Sequence, residues 1–210
     1  MKLYSYWRSS AAYRVRIVLN LKGLEAEYCA VNLLEKEHKS EDYLARNAAG
    51  LVPTLELDDG RYLTQSLAII SWLEAEYPDP PLLPADHFER ARVQSMANTV
   101  ACEIHPLNNM SILNYLKAEF DADQERLNHW MYTWLDRGFS TLEAEIGAAP
   151  YCYGDRVTLA DVLLVPMVYN ALRFEYPLAD KQPKVLSVWD ACNQLDAFIN
   201  ARPEKQPDAV

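Results

Sequence analysis

The apolar positions come first in short runs and then, after residue 84, in long helical periods. Lys2-Leu3-Tyr4-Ser5-Tyr6-Trp7 alternates weakly and is rich in aromatics, which predicts a strand. Ser9 or Ser10 then caps a helix that runs to about Lys22, and Gly23 suits the position just past a helix end. The apolar residues of that helix (Ala11, Ala12, Val15, Ile17, Val18, Leu19, Leu21) wrap most of its circumference, so it should be packed on two sides, as beside a sheet. Residues 27–31 predict a second strand, and a strand–helix–strand unit of this size implies parallel pairing with a right-handed crossover. A short helix over 40–45, a strand over 51–57, a turn at Asp58-Asp59-Gly60 and a return strand over 61–64 follow. Gln65-Ser66 opens a helix carrying Leu67, Ile70, Leu73 and Tyr77, and Pro78 ends it. The order is βαβαββα.

Pro78-Asp79-Pro80-Pro81-Leu82-Leu83-Pro84 holds four prolines in seven residues and cannot continue a helix. It reads as a stiff linker over 79–84 between an α/β domain at 1–78 and an all-helical domain at 85–210. Helical patterns cover about 86–119, 122–146, 159–173 and 184–200. The third has a sharp start: Thr158 stands three residues before Asp161 ahead of an apolar run, a capping box whose role is folding rather than catalysis.

Composition narrows the partners. Half of the 210 residues are apolar, yet the mean hydropathy is −0.22, and no run of about 18 uncharged apolar residues exists to span a membrane. The opening MKLYSYW lacks the apolar stretch of a signal peptide, so the expectation is a soluble cytoplasmic protein. A net charge of −10 argues against nucleic acid. It also means that an anionic ligand would need a local positive site against the overall field. Cys29, Cys102, Cys152 and Cys192 show neither C-x-x-C spacing nor clustering with histidine, the pattern of reduced packing cysteines without a metal.

Several stretches together are more specific. Arg8-Ser9-Ser10 with Arg14-Val15-Arg16-Ile17 and Leu21-Lys22-Gly23, Leu51-Val52-Pro53-Thr54-Leu55, Gln65-Ser66-Leu67-Ala68-Ile69-Ile70, His105-Pro106-Leu107-Asn108-Asn109, Thr158-Leu159-Ala160-Asp161 and Gln206-Pro207-Asp208 resemble the zeta class of the cytosolic glutathione transferases, the maleylacetoacetate isomerases. The resemblance runs nearly end to end. It implies a thioredoxin-like N-terminal domain, a helical C-terminal domain, glutathione as cofactor and a homodimer. In one respect the chain departs from the class: Ala11 stands where its members commonly carry a cysteine after the paired serines.

The resemblance also implies roles. The nucleophile is the thiol of glutathione, which at a pKa of about 8.5 is only a few per cent thiolate at neutrality. Lowering that value by about 2 units takes about 2.7 kcal/mol. A helix N-terminus supplies about 0.3–1 kcal/mol, and a hydroxyl donating to a charged acceptor about 1.5–3 kcal/mol. Ser9 is the expected direct donor, with Ser10 and the start of the helix at Ala11 in support, although a pair of serines here is also a plain N-cap. Val52-Pro53 is expected in cis, exposing the Val52 amide and carbonyl to the cysteinyl backbone of the tripeptide. Gln65 and Ser66, at a helix start, would hold the γ-glutamyl carboxylate. His38 and His105, with Asn109, Met110 and Ser111, align with contact positions of the class. A dianionic cis-enedioate substrate calls for cations, and Arg8 and Arg173 are the candidates; Arg14 and Arg16 read as structural, pairing with acids of the second domain.

The implied reaction is cis–trans isomerisation of maleylacetoacetate to fumarylacetoacetate by reversible thiolate addition, in tyrosine and phenylalanine breakdown. The alternatives are isomerisation of the smaller maleylpyruvate, thiol substitution on α-halo acids, and a binding module without catalysis. Such a module has no reason to keep Ser9, Gln65 and Ser66 together.

Overall fold

The computed structural model describes residues 1–210. They form two compact units, one of Met1–Pro81 with Asn193–Val210 and one of Leu82–Cys192. In the first, strands β1 (Lys2–Ser5), β2 (Glu27–Ala30), β3 (Thr54–Glu56) and β4 (Tyr62–Thr64) make one mixed sheet in the order β2-β1-β3-β4. β1 pairs parallel with β2, as the intervening helix α1 (Ser10–Leu21) requires, and antiparallel with β3, which pairs antiparallel with β4 across the Asp58-Asp59-Gly60 turn. Helix α2 (Glu41–Leu44), capped by Ser40, and helix α3 (Ser66–Glu76) complete the βαβαββα order.

α1 is buried at every position from Ala12 to Leu19, because it packs on α3 and on a helix near the end of the chain. Its C-terminus closes in a Schellman turn. The Leu24 amide reaches Leu19 O at 2.9 Å and the Gly23 amide reaches Asn20 O at 3.1 Å, with Gly23 at φ +64°, a left-handed conformation that glycine adopts at no steric cost. Lys22, its side chain fully buried, pairs with Glu74 at 2.9 Å and donates to the carbonyls of Tyr77 and Pro80. The ammonium thereby joins the end of α1 to the end of α3 and the first residues of the proline stretch.

The second unit contains helices α4 (His87–Asn98), α5 (Met110–Phe120), α6 (Gln124–Glu145), α7 (Leu159–Arg173), α8 (Leu178–Lys181) and α9 (Pro183–Cys192). α7 has the predicted bounds and is buried along its first ten residues. The capping box is present. The Asp161 carboxylate accepts from the Thr158 amide at 2.7 Å, the Thr158 hydroxyl at 2.8 Å and the Cys152 amide at 2.7 Å, and burial pushes its pKa up. The last of these bonds, from the loop before the helix, was not legible in the four-residue motif. No helix of the chain is long and apolar enough to cross a membrane.

Two predicted helices are each two elements. The pattern over 86–119 breaks after α4: the chain widens into a π-helical stretch at Thr99–Ile104, turns through His105–Asn109 and starts again at α5. Pro106 lacks the amide a continuing helix needs, and Asn109 caps the new start by accepting from the Ser111 and Ile112 amides at 2.7 and 3.4 Å. The pattern over 184–200 likewise splits into α9 and α10 (Asp196–Ala201). Here the expected boundary is corrected. The helical domain was expected to run to 210, but residues 193–210, α10 included, belong with the first unit. Phe198 and Ala201 are buried, α10 packs on α1, and Arg16 donates to Ala201 O at 3.0 Å.

α6 lies close to the π-helical stretch at Gly138. A Cβ placed there would stand 2.2 and 2.3 Å from Cγ1 and Cδ1 of Ile104, a fully buried side chain. Gly138→Ala should therefore lower stability by about 1–3 kcal/mol, read as a lower denaturant midpoint at constant slope. Adding Ile104→Ala, which removes the obstructing atoms, should make the pair less destabilising than the sum of the single changes.

Candidate functional site

The strand register decides which loops meet. β1 and the parallel β2 end at the same edge of the sheet. β3, antiparallel to β1 with Tyr4 opposite Thr54, begins there, and β4, with Thr64 opposite Thr54, ends there. The segments that leave this edge are therefore 6–11, 31–39, 51–53 and 65–66. They carry every candidate residue that the sequence assigns to the first unit: Arg8, Ser9, Ser10, Ala11, His38, Val52, Pro53, Gln65 and Ser66. Candidates as far apart in sequence as Arg8 and Ser66 are brought to one end of one sheet.

Ser9 is the N-cap of α1, in extended conformation, with its Oγ accepting from the Ala12 amide at 3.2 Å and its carbonyl accepting from Tyr13 at 2.8 Å. A hydroxyl has one proton and two lone pairs. The cap uses a lone pair, so the half-buried Ser9 keeps its proton to donate, with its direction restricted by the cap. Capping and donating to an anion are compatible in one side chain. The Ala11 amide takes no acceptor from the chain, as expected for a first-turn N–H. Ser10 is buried at the first helical position. Ala11 is half-buried and leaves the helix mouth without a thiol. The Arg8 guanidinium lies 4.8 Å from the centre of the Trp7 ring, and no carboxylate forms an ion pair with it.

The turn that delivers Ser9 is itself held. The Ser9 amide donates to Tyr6 O at 2.9 Å. The Trp7 amide donates to the Asp208 carboxylate at 3.1 Å, and Trp7 O accepts from Arg16 Nη2 at 3.0 Å. The other donors of Arg16 go to Ser5 Oγ, Tyr6 O and Ala201 O. Arg16 therefore does not pair with acids of the helical unit, as its charge suggested. Backbone carbonyls and the Ser5 hydroxyl take up its donors, and burial pulls its pKa down to about 10.

Val52-Pro53 is cis, and the Val52 amide and carbonyl make no backbone bond within the chain. The carbonyl before them, Leu51 O, accepts from both Tyr43 Oη and Asn47 Nδ2 at 2.7 Å, and the same two groups lie 3.0 Å from Thr54 Oγ1. Sequence reasoning assigns no role to Tyr43, Asn47 or Thr54, and the one available signal is a polar asparagine and threonine beside apolar runs. Gln65 sits at φ +66°, ψ 118°, a costly backbone conformation for a side chain of its kind, and leaves α3 without a side-chain cap. Ser66, buried at the first position of α3, accepts from Nη1 of the buried Arg14 at 3.3 Å. A cation thus stands behind a helix N-terminus at the point expected to meet a carboxylate. His38 is half-buried in a single helical turn, where burial and the neighbouring Lys39 lower its pKa.

The remaining candidates lie in the second unit. His105 is half-buried at the start of the turn that breaks α4 from α5. Asn109 and Ser111 form the α5 cap, and Met110 is largely exposed. Arg173 is exposed on the last turn of α7, its guanidinium 4.3 Å from the Phe174 ring centre.

Residues 3–81 match the model of the glutathione S-transferase N-terminal domain and residues 112–196 that of the C-terminal domain. A maleylacetoacetate isomerase of Pseudomonas aeruginosa is 46% identical over 210 residues, covering 99% of this chain and 98% of the relative. A solved maleylpyruvate isomerase, described as a bacterial zeta-class glutathione S-transferase, superposes with a TM-score of 0.96 at 46% identity, covering all of both chains. A maleylacetoacetate isomerase of Methylobacterium extorquens, solved with malonate and glutathione bound, superposes with a TM-score of 0.95 at 37% identity, again over all of both chains. With both halves matched and full-length relatives at this identity, the chain belongs to the zeta class of the glutathione S-transferase family.

Proposed function

We propose that this chain is a glutathione-dependent cis–trans isomerase that converts maleylacetoacetate to fumarylacetoacetate. The observation that carries the reading is the half-buried Ser9 at the mouth of α1, with its proton free to donate, on the sheet edge where the Val52 peptide and the start of α3 also lie. Glutathione fits that edge in three parts. Its thiolate accepts from Ser9 and the first-turn amides. Its cysteinyl backbone pairs with the Val52 amide and carbonyl as an added strand would. Its γ-glutamyl carboxylate meets Gln65 and Ser66, with the Arg14 charge behind them.

The thiolate adds to the alkene carbon β to the substrate ketone, forming a carbon–sulfur bond and placing the electron pair on oxygen as an enolate. The former double bond is then single and rotates. Collapse of the enolate breaks the carbon–sulfur bond, restores the alkene in trans and returns the thiolate, so neither redox equivalent nor net proton is consumed. Arg8 and Arg173 are assigned to the substrate carboxylates and the enolate oxygen, where guanidinium donors offset charge that develops during reaction. His38, His105, Asn109, Met110 and Ser111 are assigned to glutathione contact. The working form is taken as a cytoplasmic homodimer acting in aromatic amino-acid breakdown. Maleylpyruvate is the second reading, favoured by the solved relative that carries that name at 46% identity.

Ser9→Ala should retain the fold and lose at least about tenfold in kcat, because one hydrogen bond to a charged acceptor is worth about 1.5–3 kcal/mol. The thiolate is the reactive form, so kcat/KM rises with pH through the pKa of the bound thiol, and Ser9→Ala should move that rise to higher pH. Unchanged rate and pH profile would remove Ser9 from its role.

Ser66→Ala should instead act on binding, raising KM for glutathione roughly tenfold with kcat nearly intact. Progress curves with maleylacetoacetate and maleylpyruvate, with and without glutathione, decide the substrate. Retention on immobilised glutathione without turnover of either would mark a binding module.

A further inference from the structure

The reading of Ser9 raises the question of what holds Ser9 in place. The turn Tyr6–Ser9 is four residues long and delivers the hydroxyl from the end of β1 to the start of α1. Its internal bond, Ser9 N–H to Tyr6 O at 2.9 Å, closes the turn but does not fix it relative to the sheet. Both peptide groups flanking Trp7 have partners from outside the turn. The Trp7 amide donates to Asp208 Oδ2 at 3.1 Å, its carbonyl accepts from Arg16 Nη2 at 3.0 Å, and Tyr6 O accepts from Arg16 Nη1 at 3.5 Å. We propose that Asp208 and Arg16 are positioning residues that clamp the Trp7 backbone from two sides and thereby set the place of the Ser9 hydroxyl.

The clamp is built rather than incidental. Asp208 lies 201 residues from Trp7 in the sequence, and its second oxygen accepts from Tyr28 Oη of β2 at 2.6 Å, so the carboxylate is held from the sheet side as well. The stretch that carries it is pinned in turn, since Gln206 Nε2 donates to Asn200 O at 3.0 Å and Arg202 O at 2.8 Å. Arg16 is buried, and its Nε bond to Ala201 O ties the same guanidinium to α10. One cation and one carboxylate, one from α1 and one from the last residues of the chain, thus meet on a single residue two positions before Ser9. A hydrogen bond with one charged partner is stronger than a neutral one, so Asp208 and Arg16 hold the Trp7 backbone more firmly than neutral partners would. An error of about 1 Å at a catalytic group can cost about a hundredfold in rate.

This inference rests on Ser9 as the thiolate's donor, and the test separates the two. Wild type, Asp208→Ala and Asp208→Asn are loaded with glutathione. The bound thiol is titrated by its ultraviolet thiolate absorbance, and kcat and KM are measured with maleylacetoacetate. Asp208→Ala should raise the bound-thiol pKa by about one unit and lower kcat about tenfold, equivalent to about 1.4 kcal/mol, with KM for glutathione within about threefold of wild type. Asp208→Asn keeps an acceptor of the same shape without the charge and should recover most of that loss while still titrating measurably above wild type. If Asp208→Ala melts at lower temperature yet keeps the wild-type titration and kcat, the carboxylate is only structural and the clamp is overturned. Should the alanine variant not fold, a wild-type titration and kcat in Asp208→Asn overturn it equally. A wild-type protein whose bound thiol titrates at its free value overturns the Ser9 reading itself, and the clamp's catalytic role with it.

Discussion

An α-helix leaves its first amides unpaired, and at α1 the chain answers this with a single side-chain oxygen, that of Ser9. Much of the first unit can be read from that hydrogen bond. It fixes where α1 starts, hence how far the β1 edge must reach to meet it, hence where the 6–9 turn sits beside the Val52 peptide. Because the hydroxyl accepts toward the helix, it can donate away from it. A carboxylate cap such as Asp86 on α4 has no proton to give, and at this position it would repel a sulfur anion. In the proposed role serine meets both demands, and Ala11, two residues later, leaves the cap intact.

The chain carries ten more acidic than basic charges, yet the α/β unit places cations where they matter. Arg14, Arg16 and Lys22 all spring from α1 and all turn inward. Among their partners are Ser66, the carbonyls of the 6–7 turn and α10 with the Ser5 hydroxyl, and Glu74 with the carbonyls after α3. Carbonyl and hydroxyl oxygens replace part of the hydration that a buried cation loses, without cancelling its net charge. Arg14 in this way sets a guanidinium beside the first residue of α3, at that helix's N-terminus.

What the sequence disclosed, it disclosed through local rules. The α1 and α7 starts, the Asp58-Asp59-Gly60 turn and the Gly23 stop each depend on a few neighbouring residues, and the structure has them where they were expected. The misreadings share another cause. Apolar spacing continued across 99–109 and 193–195, so the breaks there were set by a missing amide at Pro106, a new cap at Asn109 and the side-chain bonds from Arg202 to Asn193 rather than by the pattern. The partners of Arg16, the brace on Leu51 O and the backbone of Gln65 are long-range or conformational facts that carry no periodic signal. Among the candidate residues, those of the first unit were placed together by strand register, which hydrophobic alternation fixes; no such rule relates them to residues far along the chain.

The α/β unit is discontinuous: residues 1–81 are completed by 193–210, with the whole helical unit inserted between. A ribosome delivers these pieces in order, so the sheet and α1 emerge long before α10 and Asp208 exist to cover them. During that interval the buried face of α1 and the guanidinium of Arg16 lack their final partners, while residues 82–192 already have everything they need to pack. The unit whose synthesis begins first thus completes its core last, and the side of α1 that meets α10 stays uncovered until the closing segment arrives.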